Sequence, residues 1–397
     1  MAELAGTERG ARSGTSFIND PKVRSIVLQV VALVLVVVLG WMFIGNAREN
    51  LAAQKIATGF GFLDNTAGFG ISQTLIPYSE TSTYGRAFLV GLLNTILVAV
   101  VGIIVATIIG FLVGIGRLSK NFVVRLLSTT YVEVLRNLPP LFQILFWYLA
   151  VLSALPGPRQ SISLFGEVFL SNRGIIIPRP IFGEGSGTVL LAFGAGILLT
   201  VLLSSWSNAR REETGRGLPM LWIGLGLVIG LPLIVMIAAG FPLTFERPEL
   251  KGFNFAGGTR VIPEFVALTL ALSTYTAAFI AENVRSGIQS VSKGQTEAAY
   301  SLGLKPSLTL RLVVIPQALR VIIPPLTNQY LNLTKNSSLA VGIGYPDLVA
   351  VFAGTSLNQT GQAIEIIAIT MGVYLLLSII TSTIMNAYNR RIALVER

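Results

Sequence analysis

Long apolar runs alternate with short polar breaks rich in Gly and Pro along almost the whole chain. A helix needs about 20 apolar residues, at about 1.5 Å rise each, to cross roughly 30 Å of hydrocarbon. Eight runs meet that requirement, near 26–44, 86–115, 128–153, 188–204, 218–240, 264–284, 321–343 and 364–386. An even number returns the chain to its starting side. The pattern therefore predicts an all-α polytopic membrane protein. Its segments are a polar stretch (1–25), a first helix (26–44), a loop (45–85), a helical part (86–155), loops around a helix pair (156–262) and a second helical part (263–397).

Composition agrees. Of 397 residues, 52% are hydrophobic and 12% charged, too few charges to cover the surface of a soluble domain of this size. The Lys and Arg residues favour one side: Arg9, Arg12, Lys22 and Arg24, then Arg117, Lys120 and Arg125, then Arg210, Arg211 and Arg216, then the 285–320 stretch, and finally Arg390, Arg391 and Arg397. The alternate loops are longer and more sparsely basic. By the positive-inside bias both termini are expected in the cytoplasm. The net charge of +10 then reflects topology and anionic lipid, not nucleic acid. With no Cys and no His, disulfides, Cys or His metal sites and His-based relays or triads are excluded. The first run follows about 25 polar residues and lacks a small-residue cleavage pattern, so it is expected to stay as an anchor.

The loops at 45–85, 156–187 and 241–262 are rich in Gly and Pro. "PGPRQSISLFGEV" and "IIIPRPIFGEGSG" predict ordered turns or short strands, which either meet an extracytoplasmic partner or only link helices. The runs at 188–204 and 218–240 carry no mid-membrane charge and read as peripheral helices. Glu212 and Glu213 between them read as a solvated charge run, not a protease pair. No internal repeat is evident.

The stretch 290–320 is too polar to span. Ser292 and Gln295 have capping-box spacing, "QTEAAYSLG" favours helix, and Gly303 suits a C′ position. Pro306 suits the first turn of a second helix, with Leu308, Leu310, Leu312 and Val313 as its apolar face. Ala298 and Ala299 beside Glu297 would let a partner approach closely. Periodicity alone leaves open a docking surface or an amphipathic helix resting on lipid.

The spacing of Glu297-Ala298-Ala299, Gly303 and Ile315-Pro316 resembles the cytoplasmic coupling loop of ATP-binding-cassette importer permeases. The likeness extends through "YVEVLRNLPPLFQILFWY" and "VVIPQALRVIIPPLTNQYLNLTKNSSL" to the polar amino-acid branch. Residues 60–95 narrow it to the general L-amino-acid import system. This resemblance implies a type I permease core of five helices, to which the N-terminal helix and an inserted helix pair are added. It implies that Glu297, Ala298, Ala299, Gly303 and Pro316 contact an ATPase subunit. The chain has no G-x-x-x-x-G-K-[ST] loop, so ATP and Mg would sit on that partner and this chain would hold no cofactor. Further implied partners are a second, related permease chain and a periplasmic amino-acid-binding protein. "KNSS" departs from the commoner pattern with Asp after the Lys, so no charge carries over to Asn336.

Charges near the membrane centre cost about 2.5–3.5 kcal/mol on insertion scales and are paired or face a cavity. Glu133 with Arg136, and Glu282 with Arg285, have i, i+3 spacing and could pair. Pro139-Pro140 should bend the third run and free carbonyls, leaving Glu133 and Arg136 to line a path or to brace helices. Lys335, with Asn336 and Ser337 in "NLTKNSSLA", suits a substrate carboxylate if the helix opens there, or an interhelix hydrogen bond. The rival reading is a secondary amino-acid transporter driven by an ion gradient, which needs acidic ion sites. Only Glu133, Glu282 and Glu365 could supply them.

Overall fold

The apolar runs become helices in the computed structural model, which describes residues 21–53, 58–215 and 217–392. They are α1 (Pro21–Ala53), α2 (Tyr84–Gly116), α3 (Phe122–Arg136), α4 (Pro140–Leu145, continued by a wide π turn over Phe146–Leu152) and α5 (Ser186–Thr214). Next come α6 (Met220–Leu225) and α7 (Leu231–Ala238), joined by a π turn at Gly226–Gly230, then α8 (Pro263–Gln289), α9 (Lys293–Ser301) and α10 (Pro306–Thr309). The chain ends in α11 (Ile315–Asn336), α12 (Leu357–Thr360) and α13 (Ala363–Ile392). Among the described residues, seven helices are long and apolar enough to cross a membrane, or eight if the bent α3/α4 pair counts as one span. Residues 1–20 of the N-terminal segment, together with Lys55, Arg216 and Arg397, lie outside the described residues.

The core is built on α2 and α8, which touch almost backbone to backbone. A Cβ at Gly110 would stand 2.5 Å from a carbon of Ile280, and one at Gly114 would stand 2.7 Å from the Ala281 carbonyl. Small residues permit this approach, and dispersion between close helices then replaces the hydrophobic drive that lipid does not supply. Val98 and Ala106 of α2 bury against Leu268, Leu272 and Ile280 of α8, with Ile322, Leu326 and Leu333 of α11 completing the cluster. The apolar side chains of α1 stay exposed, as expected of a helix surrounded by lipid. α5 to α7 pack mainly on one another.

Pro139 and Pro140 break the third run into two helices bent by 109°. The carbonyls freed at Leu135 and Leu138 do not line a path. The Gln143 amide, itself buried, donates to both at 3.0 and 3.2 Å. The expectation of open carbonyls is corrected by this one side chain, which satisfies them.

The all-α core is joined, among the described residues, by eight short strands flanking the α5–α7 insert, in the loops where the sequence suggested ordered turns or short strands. β1 (Ile162–Leu164), β2 (Val168–Ser171) and β3 (Gly174–Ile177) form an antiparallel sheet with β8 (Thr259–Val261). β4 (Arg179–Phe182) pairs with β5 (Leu243–Glu246), and β6 (Glu249–Lys251) with β7 (Asn254–Ala256). The register Ile175↔Val261 ties the chain before the insert to the chain entering α8. Residues 58–83 instead form a cap: Phe62 and Ala67 bury against Tyr84, Ala87, Phe352 and Ile366.

Candidate functional site

The 290–320 stretch forms two short helices at the end of the bundle where α8 stops. Ser292 occupies the N-cap in extended conformation but makes no side-chain cap bond, and Gln295 accepts from Gln317 instead. The capping box expected from their spacing is therefore absent. α9 ends as the sequence predicts: Gly303, at φ +75°, sits in open space, so its conformation and not a close neighbour calls for glycine. Leu302 N–H and Leu304 N–H bond back to the carbonyls of Ala298 and Ala299. The helix rotation divides the motif. Glu297 and Ala298 face outward, whereas Ala299 is only 4% exposed and packs inward. Pro316 lies in the first turn of α11. Leu308, Leu310 and Leu312 are exposed and Val313 is half-buried, while Thr309 is buried, so the expected apolar face is only partly covered; the stretch widens into a π turn over Leu310–Val314.

Four charges meet near the same end. Arg117, which follows α2, bonds Glu282 of α8 and stands 3.5 Å from Glu133 of α3. Glu282 also takes two bonds from Arg285, at 2.5 and 3.1 Å, as the i, i+3 spacing predicts. The other predicted pair does not form: Glu133 turns to Arg117, and Arg136 lies 5.2 Å over the Phe279 ring. These charges pin three helices together. Neither Glu133 nor Arg136 reaches the residues around Lys335. The nearby hollow at the α3/α4 bend, about 660 Å³, is lined by apolar side chains such as Val134, Leu138, Phe142 and Trp147, which offer nothing to a zwitterion.

Lys335 lies on the wall of a different hollow of about 560 Å³, formed with Ser338, Val349, Thr370, Tyr374 and Ser378. Its ammonium has no hydrogen-bond or ion-pair partner among the described residues. The interhelix bond considered for it is thus not seen among the described residues. The helix does not open at Lys335. It runs on through Asn336 and then tightens into a 3₁₀ segment over Ser337–Ile343. Ser337 is buried and donates to the Thr334 carbonyl at 2.7 Å, so Ser338 is the serine that reaches the cavity wall.

Behind this wall lies a buried carboxyl that belongs to none of the sequence motifs above. Asp347, fully buried, accepts from the Ala350 N–H at 2.8 Å and so caps the π turn Val349–Ser356. Its other oxygen accepts from the Tyr374 hydroxyl at 3.4 Å. Burial pushes the carboxyl up to about 7, against the opposing pull of its hydrogen bonds. Its turn is fastened to α2: Leu348 N–H donates to Thr95, and the Asn94 amide donates to the carbonyls of Gln73 and Pro346, both at 2.9 Å. One carboxyl therefore holds two members of the cavity wall, Val349 through the turn and Tyr374 directly. An Asp after Gly and Pro and before an apolar run is an N-cap signal that could have found it.

Comparison with known proteins covers these parts. Residues 213–394, which include α6 to α13, match the family of binding-protein-dependent transport system inner membrane components. The general L-amino acid transport system permease protein AapQ of Rhizobium johnstonii is 56% identical over 394 residues, 99% of this chain and 98% of the relative. The putative amino-acid ABC transporter permease protein YhdX of Escherichia coli K12 is 56% identical over 399 residues, covering both chains fully. The glutamate/glutamine/aspartate/asparagine transport system permease protein BztB of Rhodobacter capsulatus is 42% identical over 413 residues, 96% of each chain. Such coverage takes in the α5–α7 insert and its strands as well as the core.

Proposed function

This chain belongs to the family of inner membrane components of binding-protein-dependent transport systems, and from that premise we propose how its parts divide the import of L-amino acids. It is a permease subunit, multi-pass in the membrane, and transport rather than catalysis is its part in the system. The reading as an ion-driven transporter is set aside. α9 docks on an ATP-binding-cassette ATPase through Glu297 and Ala298. Gly303 and Pro316 set the turn and the return into α11, while Ala299 seats the helix on its own chain. ATP and Mg bind the ATPase, a second related permease chain completes the pathway, and a periplasmic amino-acid-binding protein delivers substrate to the outer loops. Both termini face the cytoplasm.

Lys335 holds the substrate carboxylate, with Asn336 beside it and Ser337 supporting the wall from behind. Glu133 and Arg136 brace the α3/α8 contact. Closure of two ATPase subunits moves α9, and the permease pair turns its cavity outward as rigid bodies.

The breadth of substrate rests on one observation: 56% identity, over nearly the whole chain, to a general L-amino acid transport system permease. Mutual competition among L-glutamate, L-glutamine, L-leucine and L-arginine for uptake tests it. Each should inhibit the others, and transport confined to one side-chain class would replace the general reading with a narrow one.

A further inference from the structure

The strands around the α5–α7 insert carry charge that is not balanced locally. Arg247 pairs with Glu167 at 2.9 Å and Lys251 stands 3.8 Å from Glu249, whereas Arg179 is only a register partner of Glu246 on β5. Of the arginines here that form no ion pair among the described residues, Arg159, Arg173 and Arg260 gather around the β6–β7 turn. Arg173 donates to the Asn254 side chain, Arg260 donates to the Arg173 carbonyl at 3.0 Å, and Arg159 donates to the Gly252 carbonyl at 3.2 Å while stacking 3.7 Å over the exposed Phe253 ring.

A guanidinium has five donors, and each bond seen here uses one of them on a neutral acceptor. The contacts fix the side chains in place without cancelling their charge. Arg173 and Arg260 both line a hollow of about 180 Å³, together with Gly257 and Gly258. At Gly258, φ +69°, a Cβ would stand 2.7 Å from the Ile177 carbonyl, so this part of the lining calls for glycine. Concentrating cations here also runs against the bias that keeps them on the cytoplasmic side.

We propose that the cleft of Arg173 and Arg260, with the Arg159–Phe253 stack at its edge, is a docking site for acidic side chains on the periplasmic amino-acid-binding protein. The proposal rests on the topology and the binding-protein dependence given above. A planar guanidinium matches a carboxylate bidentately, and two uncancelled guanidiniums in a preformed cleft steer an acidic surface and fix its register. The cleft lies beside β8, which leads directly into α8 of the core, so a partner seated there touches the chain next to the transport helices.

The test is ATP hydrolysis by the complete transporter in vesicles of zwitterionic lipid, titrated with the substrate-loaded binding protein. Arg173→Glu with Arg260→Glu should raise the half-saturating concentration about tenfold or more, leave basal and saturated rates unchanged, and abolish the salt dependence seen in the wild type. Arg173→Gln with Arg260→Gln, the milder pair should charge reversal impair assembly, should raise it about threefold. Unchanged half-saturation in an assembled variant overturns the cleft. So does an effect seen only when anionic lipid is added, which would assign the arginines to headgroups. If the binding protein stimulates the wild type and both variants alike, the cleft alone fails. If it fails to stimulate even the wild type, binding-protein dependence fails as well.

Discussion

Lys335 and Asp347 face the same cavity wall from opposite sides and make different demands on it. The Lys335 side chain has no hydrogen-bond or ion-pair partner among the described residues, so a substrate carboxylate it meets would displace none of their side chains. Losing a charge-assisted bond costs about 1.5–3 kcal/mol, roughly ten- to a hundredfold. Lys335→Ala should therefore raise the KM for uptake by at least about tenfold with assembly intact, and Lys335→Arg should recover part of it. Loss of the assembled complex in the Ala variant would make Lys335 a brace instead. Asp347 is buried and its carboxyl is raised to about 7. The folded protein then keeps a proton that the unfolded chain releases near the ordinary carboxylate value. The resulting stability is full below that value and lost as pH climbs through about 7. Heat stability of the purified transporter should fall between about pH 4 and 7, and Asp347→Asn should flatten the fall. An Asn variant with the wild-type profile would show that another group titrates.

Among the elements, α9 combines a rigid exit at Gly303 with an exposed Glu297–Ala298 edge and an inward Ala299. Charge reversal on the exposed edge should disturb docking and spare the fold. Glu297→Lys should insert normally, yet lower co-purification of the ATPase severalfold and reduce uptake in proportion. Unchanged co-purification and uptake would remove α9 from the interface. The spans, the α3/α4 bend and the Gly303 turn were all legible in the sequence, because apolar length, paired prolines and an αL glycine act locally. Three other features were not. The inward rotation of Ala299 depends on how α9 lands on its neighbours. The choice of Arg117 over Arg136 by Glu133 depends on where α2 ends. The β3–β8 pairing joins segments on either side of a helix pair, and strands of three or four residues carry little pattern of their own.

At the scale of the whole molecule, one rigid pair, α2 and α8, carries three attachments: the α9 segment at one end, the capped Lys335 wall along α11 and α13, and the strand platform that leads into α8. The close α2/α8 packing is what the proposed coupling from one end to the other would need, a centre too tightly packed to yield. The most direct measurement is uptake of labelled L-amino acids into vesicles holding the permease, its ATPase and the binding protein, with ATP and with an imposed ion gradient supplied separately. Uptake that requires ATP hydrolysis, needs the binding protein and ignores the gradient is the predicted result. Uptake driven by the gradient alone, with no nucleotide present, would contradict the account.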